Sequence, residues 1–418
     1  MLRRLYLLAL LIAEFATAAP VTLPELLSEA FERNPDVRAA QLAWRASIDA
    51  IPEATSLPDP MIRFDYFGEN VETRVGPQKS RVGVSQGFPF PGTLRQAGEV
   101  ASRESRLQQL GYEIAVRDLI VDLKVSYFEL WYLRGAATIT QQNQDLLQHS
   151  LQLATARYAT DKAKLLDVLK AQSQLAQLSY DLIVVRELQE IEQTKINALQ
   201  DYPSDREVGD LVFPELHSPQ FDAAAVEKAA LAGRQEILMA QAKVGKLEAA
   251  VDLASLKNRP TFGVNAMYID TGEASFGNFP DSGKDPWLVG VTMSLPIWHD
   301  RNERRVAKAE LVAESATLRQ NGLENKTRVA VKSALFRLEN ARRLTQLYQG
   351  TLIPQAKAAM EVAEQWHDGD TPDLSGFLET QSVWLNFNLA YLRALADYHQ
   401  YLARLEGLVG GKLPEASP

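Results

Sequence analysis

Four acidic residues crowd a short stretch in the second half of the chain, and they are the residues best suited to chemistry. They are Asp368, Asp370, Asp373 and Glu379. Gly369 and Pro372 mark the stretch as a turn between helical segments. In a single copy, these carboxylates would solvate the loop and Asp373 would cap the helix that follows. If several copies met on an axis, the same residues would form rings that favour cations and repel anions.

The corresponding turn in the first half of the chain is basic and apolar. It carries Lys162, Ala163, Lys164 and Leu165. Asp167 follows this turn and has the charge to pair with a basic residue across the two turns, although the second turn offers no arginine. The two turns therefore differ in charge although they occupy equivalent places in the chain.

No other pattern predicts a reactive group or a metal site. The five histidines lack the close spacing of zinc ligands. His299, Asp300 and Glu303 offer suitable donor atoms, but a solvated turn between a strand and a helix is the better interpretation. Cysteines, phosphate loops, nucleophile elbows and dinucleotide fingerprints are missing from the sequence. We therefore expect no enzymatic activity, no cofactor and no bound metal ion.

Charge and the N-terminus define the class of protein further. The net charge of −9 argues against a nucleic-acid partner. Arg3 and Arg4 precede a short apolar run that ends in Ala16-Thr17-Ala18, which is typical of a secretory signal peptide over residues 1–18. No later segment has the length of apolar sequence that a spanning helix needs. The sequence thus predicts an exported chain.

The elements that position the two turns occur twice, in the same order. Residues 57–64 are echoed by 257–264, and residues 83–90 by 290–297. Each half has an opening helix, a strand pair and a long helical stretch. In the first half, the opening helix is predicted at 23–55, the strands at 62–68 and 81–88, and the long helical stretch at 94–199. In the second half, the opening helix is predicted at 222–256, the strands at 261–270 and 287–295, and the long helical stretch at 301–405. The predicted repeats are residues 19–213 and 214–410, followed by a tail at 411–418. Such a repeat is a multi-element unit, not a short solenoid repeat.

The helical stretches are too long for a compact domain. Residues 92–202 contain no proline, and apolar residues recur at three-and-four spacing. A helix of about 60 residues would span roughly 90 Å. Each stretch must therefore form an extended rod or double back at its turn, at 158–164 or 366–373. We interpret them as two long coiled-coil hairpins, in a fold that is mainly α with a small β part.

The four strands cannot be stable as isolated hairpins. Apolar and polar residues alternate along them, and aromatic residues cluster near their ends, as in membrane β-barrels. Four strands cannot close a barrel, but several chains that pool their strands can. A soluble β cap on a helical rod is the alternative. In the membrane interpretation, the loops at 69–79 and 271–285 face the outside of the cell.

Residues 21–410 resemble the TolC family of outer-membrane efflux channels. The resemblance rests on the duplication, on Asn34-Pro35-Asp36-Val37, on residues 83–92 and on the turn from Arg157-Tyr158 to residues 166–172. It implies a homotrimer in the outer membrane with a 12-stranded β-barrel and a periplasmic 12-helix α-barrel. It also implies a periplasmic adaptor, an inner-membrane pump of the RND type, and closure of the tunnel at the acidic turn. The implied adaptor contacts are Lys162, Ala163, Lys164, Leu165, Thr371 and Pro372.

Cargo is less well defined. The sequence Phe88-Pro89-Phe90-Pro91-Gly92 most resembles the heavy-metal-efflux branch, and hence metal cations, although this chain lacks the lipidated cysteine common in that branch. A duct for type I protein secretion would have the same fold. A periplasmic coiled-coil spacer without a pore is a third possibility, but such a spacer has no use for alternating strands flanked by aromatic residues.

Overall fold

Two units make up the part of the chain that the structure describes. The computed structural model describes residues 21–212, 221–277, 280–364 and 374–414. One unit comprises Met1–Pro35, Val116–Val226 and Val331–Pro418, and the other comprises Asp36–Ala115 and Glu227–Ala330. Each unit therefore contains parts of both predicted repeats. The predicted signal peptide and the second turn lie outside the described residues.

Each opening helix is broken into two, although we predicted a single helix in each half. Helices α1 (Leu23–Arg33) and α2 (Pro35–Thr55) open the first half, and α5 (Ala223–Gly233) and α6 (Gln235–Leu256) open the second. At the first break, proline at position 35 pushes Asn34 out of the helical region, with ψ of 123°. At the second, Arg234 adopts ψ of 119° without a proline, while its guanidinium bonds Glu236 and Thr327. The breaks occupy equivalent places, which supports the duplication.

The long helices confirm the helical hairpin in the first half. Helix α3 (Thr93–Tyr158) has 66 residues and α4 (Leu165–Leu199) has 35. In the second half, α7 (His299–Leu347) is followed by a π-helical turn at Tyr348–Leu352, then by α8 (Ile353–Ala363) and α9 (Leu374–Val409). Pro354 explains the π-helical turn, because it cannot donate a backbone hydrogen bond and its ring crowds the preceding turn. The first half has no proline at this place, and α3 continues without interruption.

The four strands form one antiparallel sheet in the order β1-β2-β3-β4. They span Met61–Thr73, Gly76–Phe88, Thr261–Thr271 and Trp287–Ser294. Strands β2 and β3 join the two hairpins through a register that pairs Val84 with Ala266. The predicted loop at 69–79 is wrong in extent, since most of it is strand on either side of a tight turn. Long-range pairing of this kind leaves no local signal in the sequence.

The tip of the first hairpin is held against the second by the backbone. The amide of Gly272 donates to Pro77 O at 2.8 Å, and that of Gly283 donates to Val75 O at 2.7 Å. Gly76 has φ of +129°, and a Cβ atom there would lie 1.7 Å from Gly272 O. Only glycine fits at position 76. Among the described helices, none has a stretch that is both long and apolar enough to cross a bilayer.

Candidate functional site

The turn between α3 and α4 ends α3 in a left-handed residue. Asp161 has φ of 56°, and the amide of Lys162 donates to Arg157 O at 2.9 Å. This is the Schellman arrangement, with aspartate where glycine is usual. The turn reverses the chain, so that α4 begins at Leu165. It confirms the predicted first turn and brings Ala163 and Lys164 to the end of the helical hairpin.

A hydrogen-bonded chain joins the first turn of α4 to the first turn of α9. The hydroxyl of Ser375 donates to Asp167 Oδ1 at 3.0 Å and accepts from Lys170 Nζ at 3.0 Å. Among the described residues, Asp167 thus has a serine partner on α9, whereas the second turn lies outside the described part of the chain. The carboxylate also lies in the first turn of α4, where the helix dipole favours a negative charge.

A buried apolar cluster fixes four helices together below these turns. It contains Leu147 and Ala154 of α3, Val168, Ala171 and Leu178 of α4, Met360 of α8, and Leu374, Phe377, Leu378 and Leu385 of α9. Beside the cluster, the buried amide of Gln381 donates to Asn143 Oδ1 at 2.6 Å and to Asn143 O at 3.1 Å. The packed helices are therefore a support for the residues on their surface.

Three leucines at the start of α4 remain on the surface of this support. Leu165 is 49% exposed, Leu166 is 58% exposed and Leu169 is 49% exposed. Leu166 and Leu169 line a shallow groove of about 660 Å³ between α4 and α9, together with Glu379 of α9. Exposed leucines next to a well-packed core indicate a contact surface for another molecule. Sequence reasoning selected Leu165 and missed Leu166 and Leu169, although their helical spacing could have revealed them.

The other predicted site residues divide into two groups. Lys162, Ala163 and Lys164 lie at the turn, with both lysines exposed. Glu379 is exposed and faces the leucine groove. Five residues of the second turn lie outside the described part of the chain: Asp368, Asp370, Thr371, Pro372 and Asp373.

One face of the sheet is mainly apolar, with Ser80, Gln86 and Asp270 as polar members among its paired residues. Its side chains alternate with those of the opposite face, and the strand register places them side by side. Trp287 and Ile62 are 75% and 79% exposed, which is unusual for side chains of this size. The exposed members of this face are Ile62, Phe64, Tyr66, Val82, Val84, Phe262, Val264, Tyr268, Trp287, Val289, Val291 and Met293. A face of this composition requires an apolar environment.

The opposite face of the sheet carries small and polar residues, a set of charges, and the apolar side chains of Met61, Met267, Ile269 and Leu288. Ser85, Asn265 and Gly290 lie in one row across the strands. Asp65 and Arg81 are directly opposite each other on β1 and β2. The two faces thus match the alternation that the sequence predicts.

The helices next to the sheet pack in the order α2, α3, α6 and α7. Trp44 of α2 stacks on Tyr112 of α3 with ring centroids 5.8 Å apart. Between α3 and α6, Lys246 donates to Glu104 at 2.5 Å, and this bond holds the pKa of Glu104 below its usual value. Between α6 and α7, Asn258 donates to Asn302 O at 2.9 Å. Helices α2 and α7 are therefore the outer members of this layer, as β1 and β4 are of the sheet.

A groove of about 570 Å³ between α6 and α7 is lined by apolar and basic side chains. Leu247, Leu311 and Val312 belong to its apolar lining. Its basic residues are Lys243, Arg304, Lys308 and Arg319. Among the described residues, none lies close enough to Arg304, Lys308 or Arg319 to form a salt bridge with it, and no acidic residue lines the groove. The groove is suited to an apolar partner that carries negative charge.

The three residues with metal-ligand donor atoms at the start of α7 do not form a metal site. His299, Asp300 and Glu303 are exposed. Across the described ranges, no three histidine, aspartate or glutamate side chains are placed to hold a metal ion.

Comparison with known proteins identifies one family model. It is described as outer membrane efflux protein, and it matches residues 26–199 and 226–411. The first match lies within the first predicted repeat, the second ends one residue beyond the second predicted repeat, and together they cover most of the chain. A search of curated protein sequences finds no significant match.

Several solved structures share the fold at low sequence identity. VceC from Vibrio cholerae is 17% identical over 93% of this chain and 96% of its own, with a TM-score of 0.77. CusC is 15% identical over 95% of this chain and 94% of its own, with a TM-score of 0.78. The open state of MtrE from Neisseria gonorrhoeae is 18% identical over 93% and 89%, with a TM-score of 0.71. These similarities confirm the predicted fold, with long helices and four strands.

Proposed function

Because the chain belongs to the outer membrane efflux protein family, we propose that three copies form the exit duct of a tripartite efflux system. Channels of this family lie in the outer membrane with a helical tunnel in the periplasm, and they work as homotrimers with adaptors and inner-membrane pumps. The protein is accordingly an efflux channel and not an enzyme. In our proposal it conducts solutes passively from a periplasmic adaptor and an RND-type pump to the outside.

The observation that carries this proposal is the sheet with one apolar face and two outer strands. Among the described residues, β1 pairs only with β2, and β4 pairs only with β3. With an even number of antiparallel strands, β4 of one copy runs in the right direction to pair antiparallel with β1 of the next. Three copies would then close a sheet of twelve strands, with the apolar face toward lipid and the polar face toward water. A spacer without a pore would leave both the apolar face and the outer strands without a function.

The helices next to the sheet offer a matching contact between copies. We assign α2 of a neighbouring copy to the groove between α6 and α7. The exposed side of α2 carries Leu42, the cations Arg38 and Arg45 and, nearer the sheet, Asp49. Leu42 and Leu311 each lie about 20 Å from the sheet end of their helix at about 1.5 Å per residue. By the same calculation, Asp49 and Arg304 lie at similar distances from the sheet ends of their helices. The apolar pair and the charged pair would therefore each meet at the same height above the sheet.

The leucines at the start of α4 are the proposed adaptor contact. Leu166 and Leu169 supply exposed apolar area on a rigid support, and Lys162, Ala163, Lys164 and Leu165 extend the surface toward the turn. Thr371 and Pro372 are proposed to complete it from the second turn. Glu379 faces the same groove, so it is placed to pair with a basic group of the adaptor.

The proposed gate is the acidic turn, where Asp368, Asp370 and Asp373 of three copies would form rings of carboxylates. Such rings favour cations, metal ions included. Nothing in the described residues favours a protein cargo, so the secretion alternative has no supporting observation. The gate and its cargo are part of the proposal.

Chemical labelling tests the orientation of the sheet, and the absence of native cysteines removes any background. Cysteine at Asn70 or Phe276 should react on intact cells with a maleimide that cannot cross the outer membrane. Both positions are exposed, and Phe276 is 84% exposed. Gly76 and Gly277 are unsuitable because both have a positive φ. Cysteine at Lys162 is the control and should react only after lysis. Labelling of Asn70 and Phe276 only in lysed cells would reverse the proposed topology.

A further inference from the structure

Three charged residues form a bonded cluster on the polar face of the sheet. Asp65 accepts from Arg63 Nε at 2.9 Å and from Arg81 Nε at 2.7 Å. Asp65 and Arg81 are cross-strand partners, and Arg63 lies two residues along β1 on the same face. The cluster therefore joins β1 and β2, and the strand register brings its three charged side chains together.

The cluster carries more positive than negative charge. Within the cluster, one carboxylate serves two guanidinium groups. The two arginine side chains differ in their contacts and in their exposure. Arg81 also lies over the ring of Phe67, with its guanidinium carbon 5.7 Å from the centroid, and its side chain is 35% exposed. The Arg63 side chain is 69% exposed.

The surroundings of Arg63 leave room for a solute. Its cross-strand partner is Gly83, and the same row continues to Met267 and Leu288. The adjacent row contains Met61, Ser85, Asn265 and Gly290. None of these residues is charged, and the Arg63 side chain is 69% exposed beside them. A guanidinium fixed at one edge by Asp65 keeps further N–H donors for a second oxyanion.

We propose that the Arg63–Asp65–Arg81 cluster is an anion-selecting belt in the pore, with Arg63 as the group that contacts the passing solute. This inference rests on the proposed function, because the polar face lines a pore only when copies close the sheet. Three copies would then place six guanidinium and three carboxylate groups around the water-filled space. Such a belt favours chloride and solutes that carry carboxylate or phosphate groups.

The belt opposes the charge preference expected of the acidic turn. Free divalent metal ions would be repelled at the strands, whereas organic anions would be attracted there. The proposed cargo is therefore a solute with at least one carboxylate or phosphate group. If the belt has no effect in the test below, metal cations become the favoured cargo.

Reversal potentials across planar bilayers under a potassium chloride gradient test the belt. Arg63→Gln should lower the chloride-to-potassium permeability ratio of the purified channel by about twofold, since each ring charge acts through screened water. Asp65→Asn should raise the ratio, because it removes negative charge from the same place. Arg63→Lys keeps the charge and should leave the ratio near that of the unmodified protein.

The possible results of this experiment distinguish a failure of the belt proposal from a failure of the proposed channel function. An unmodified protein that forms no conducting channel would contradict the proposed function. Channels of normal conductance, whose permeability ratio is the same in Arg63→Gln, Asp65→Asn and the unmodified protein, would overturn the belt alone. Light scattering on each variant shows whether the assembly is intact, so that a change in ratio is not confused with misassembly.

Discussion

Replacing Leu166 with aspartate is expected to weaken binding of the adaptor by at least a hundredfold. Leu166 is 58% exposed and stands beside Leu169 on the groove between α4 and α9. Burial of a leucine in a contact contributes about 1.5–3 kcal/mol, and an unpaired carboxylate in the same place adds a desolvation cost. A loss of about 2.7 kcal/mol is already a hundredfold in affinity. The affinity is measured by surface plasmon resonance between the purified channel and the adaptor encoded with its pump.

The matched control keeps the apolar character of the position. Leu166→Met should bind the adaptor within a fewfold of the unmodified protein, because methionine fills a similar volume. Leu165→Asp, at the neighbouring position, should weaken efflux in cells without changing the mass of the assembly. Normal adaptor affinity in Leu166→Asp would remove this groove from the docking surface.

Lysine at position 42 is expected to prevent assembly of the trimer, whereas glutamate at the same position should allow it in part. Leu42 is 62% exposed on α2, so neither change disturbs the packing of a single copy. Both lose the apolar contact with Leu311, but only lysine places a cation beside Arg304 and Lys308 of the neighbouring groove. A like-charge contact near 4 Å at a surface is unfavourable by an amount on the order of a few kcal/mol, and an opposite charge reverses its sign.

The measurement is the fraction of protein that is trimeric after extraction in detergent, compared among the unmodified protein and the lysine and glutamate variants at position 42. Leucine, lysine and glutamate are all good helix formers, so helix propensity does not distinguish the variants. The expected order of trimer fraction is leucine, then glutamate, then lysine. Equal fractions for the lysine and glutamate variants would show that α2 does not meet the basic groove.

Local signals were sufficient to predict the two long helices of the first half and the turn between them. The proline-free stretch and the apolar periodicity correctly predicted α3 and α4, and the break in that pattern located the turn at Asp161. The break at Asn34 and the π-helical turn before Pro354 also had signals, because a proline follows closely in both cases. They were missed because the apolar pattern continues through them. The break at Arg234 has no proline and depends on tertiary contacts with Thr327.

Long-range pairing explains what the sequence could not predict. The strands were visible from alternation, but the pairing of β2 with β3 depends on contacts between the two halves of the chain. The same holds for Ser375, whose bond to Asp167 has no counterpart in local sequence. The charge cluster at Arg63 also required the register, since only the pairing of Asp65 with Arg81 shows that three charges lie on one face.

The molar mass of the protein extracted in mild detergent is the most direct test of an exit duct built from three copies. Multi-angle light scattering with correction for bound detergent gives the protein mass alone. The sheet with outer strands β1 and β4, and the groove between α6 and α7, predict three times the mass of one mature chain. A stable, folded monomer would contradict the closed sheet and, with it, the proposed pore.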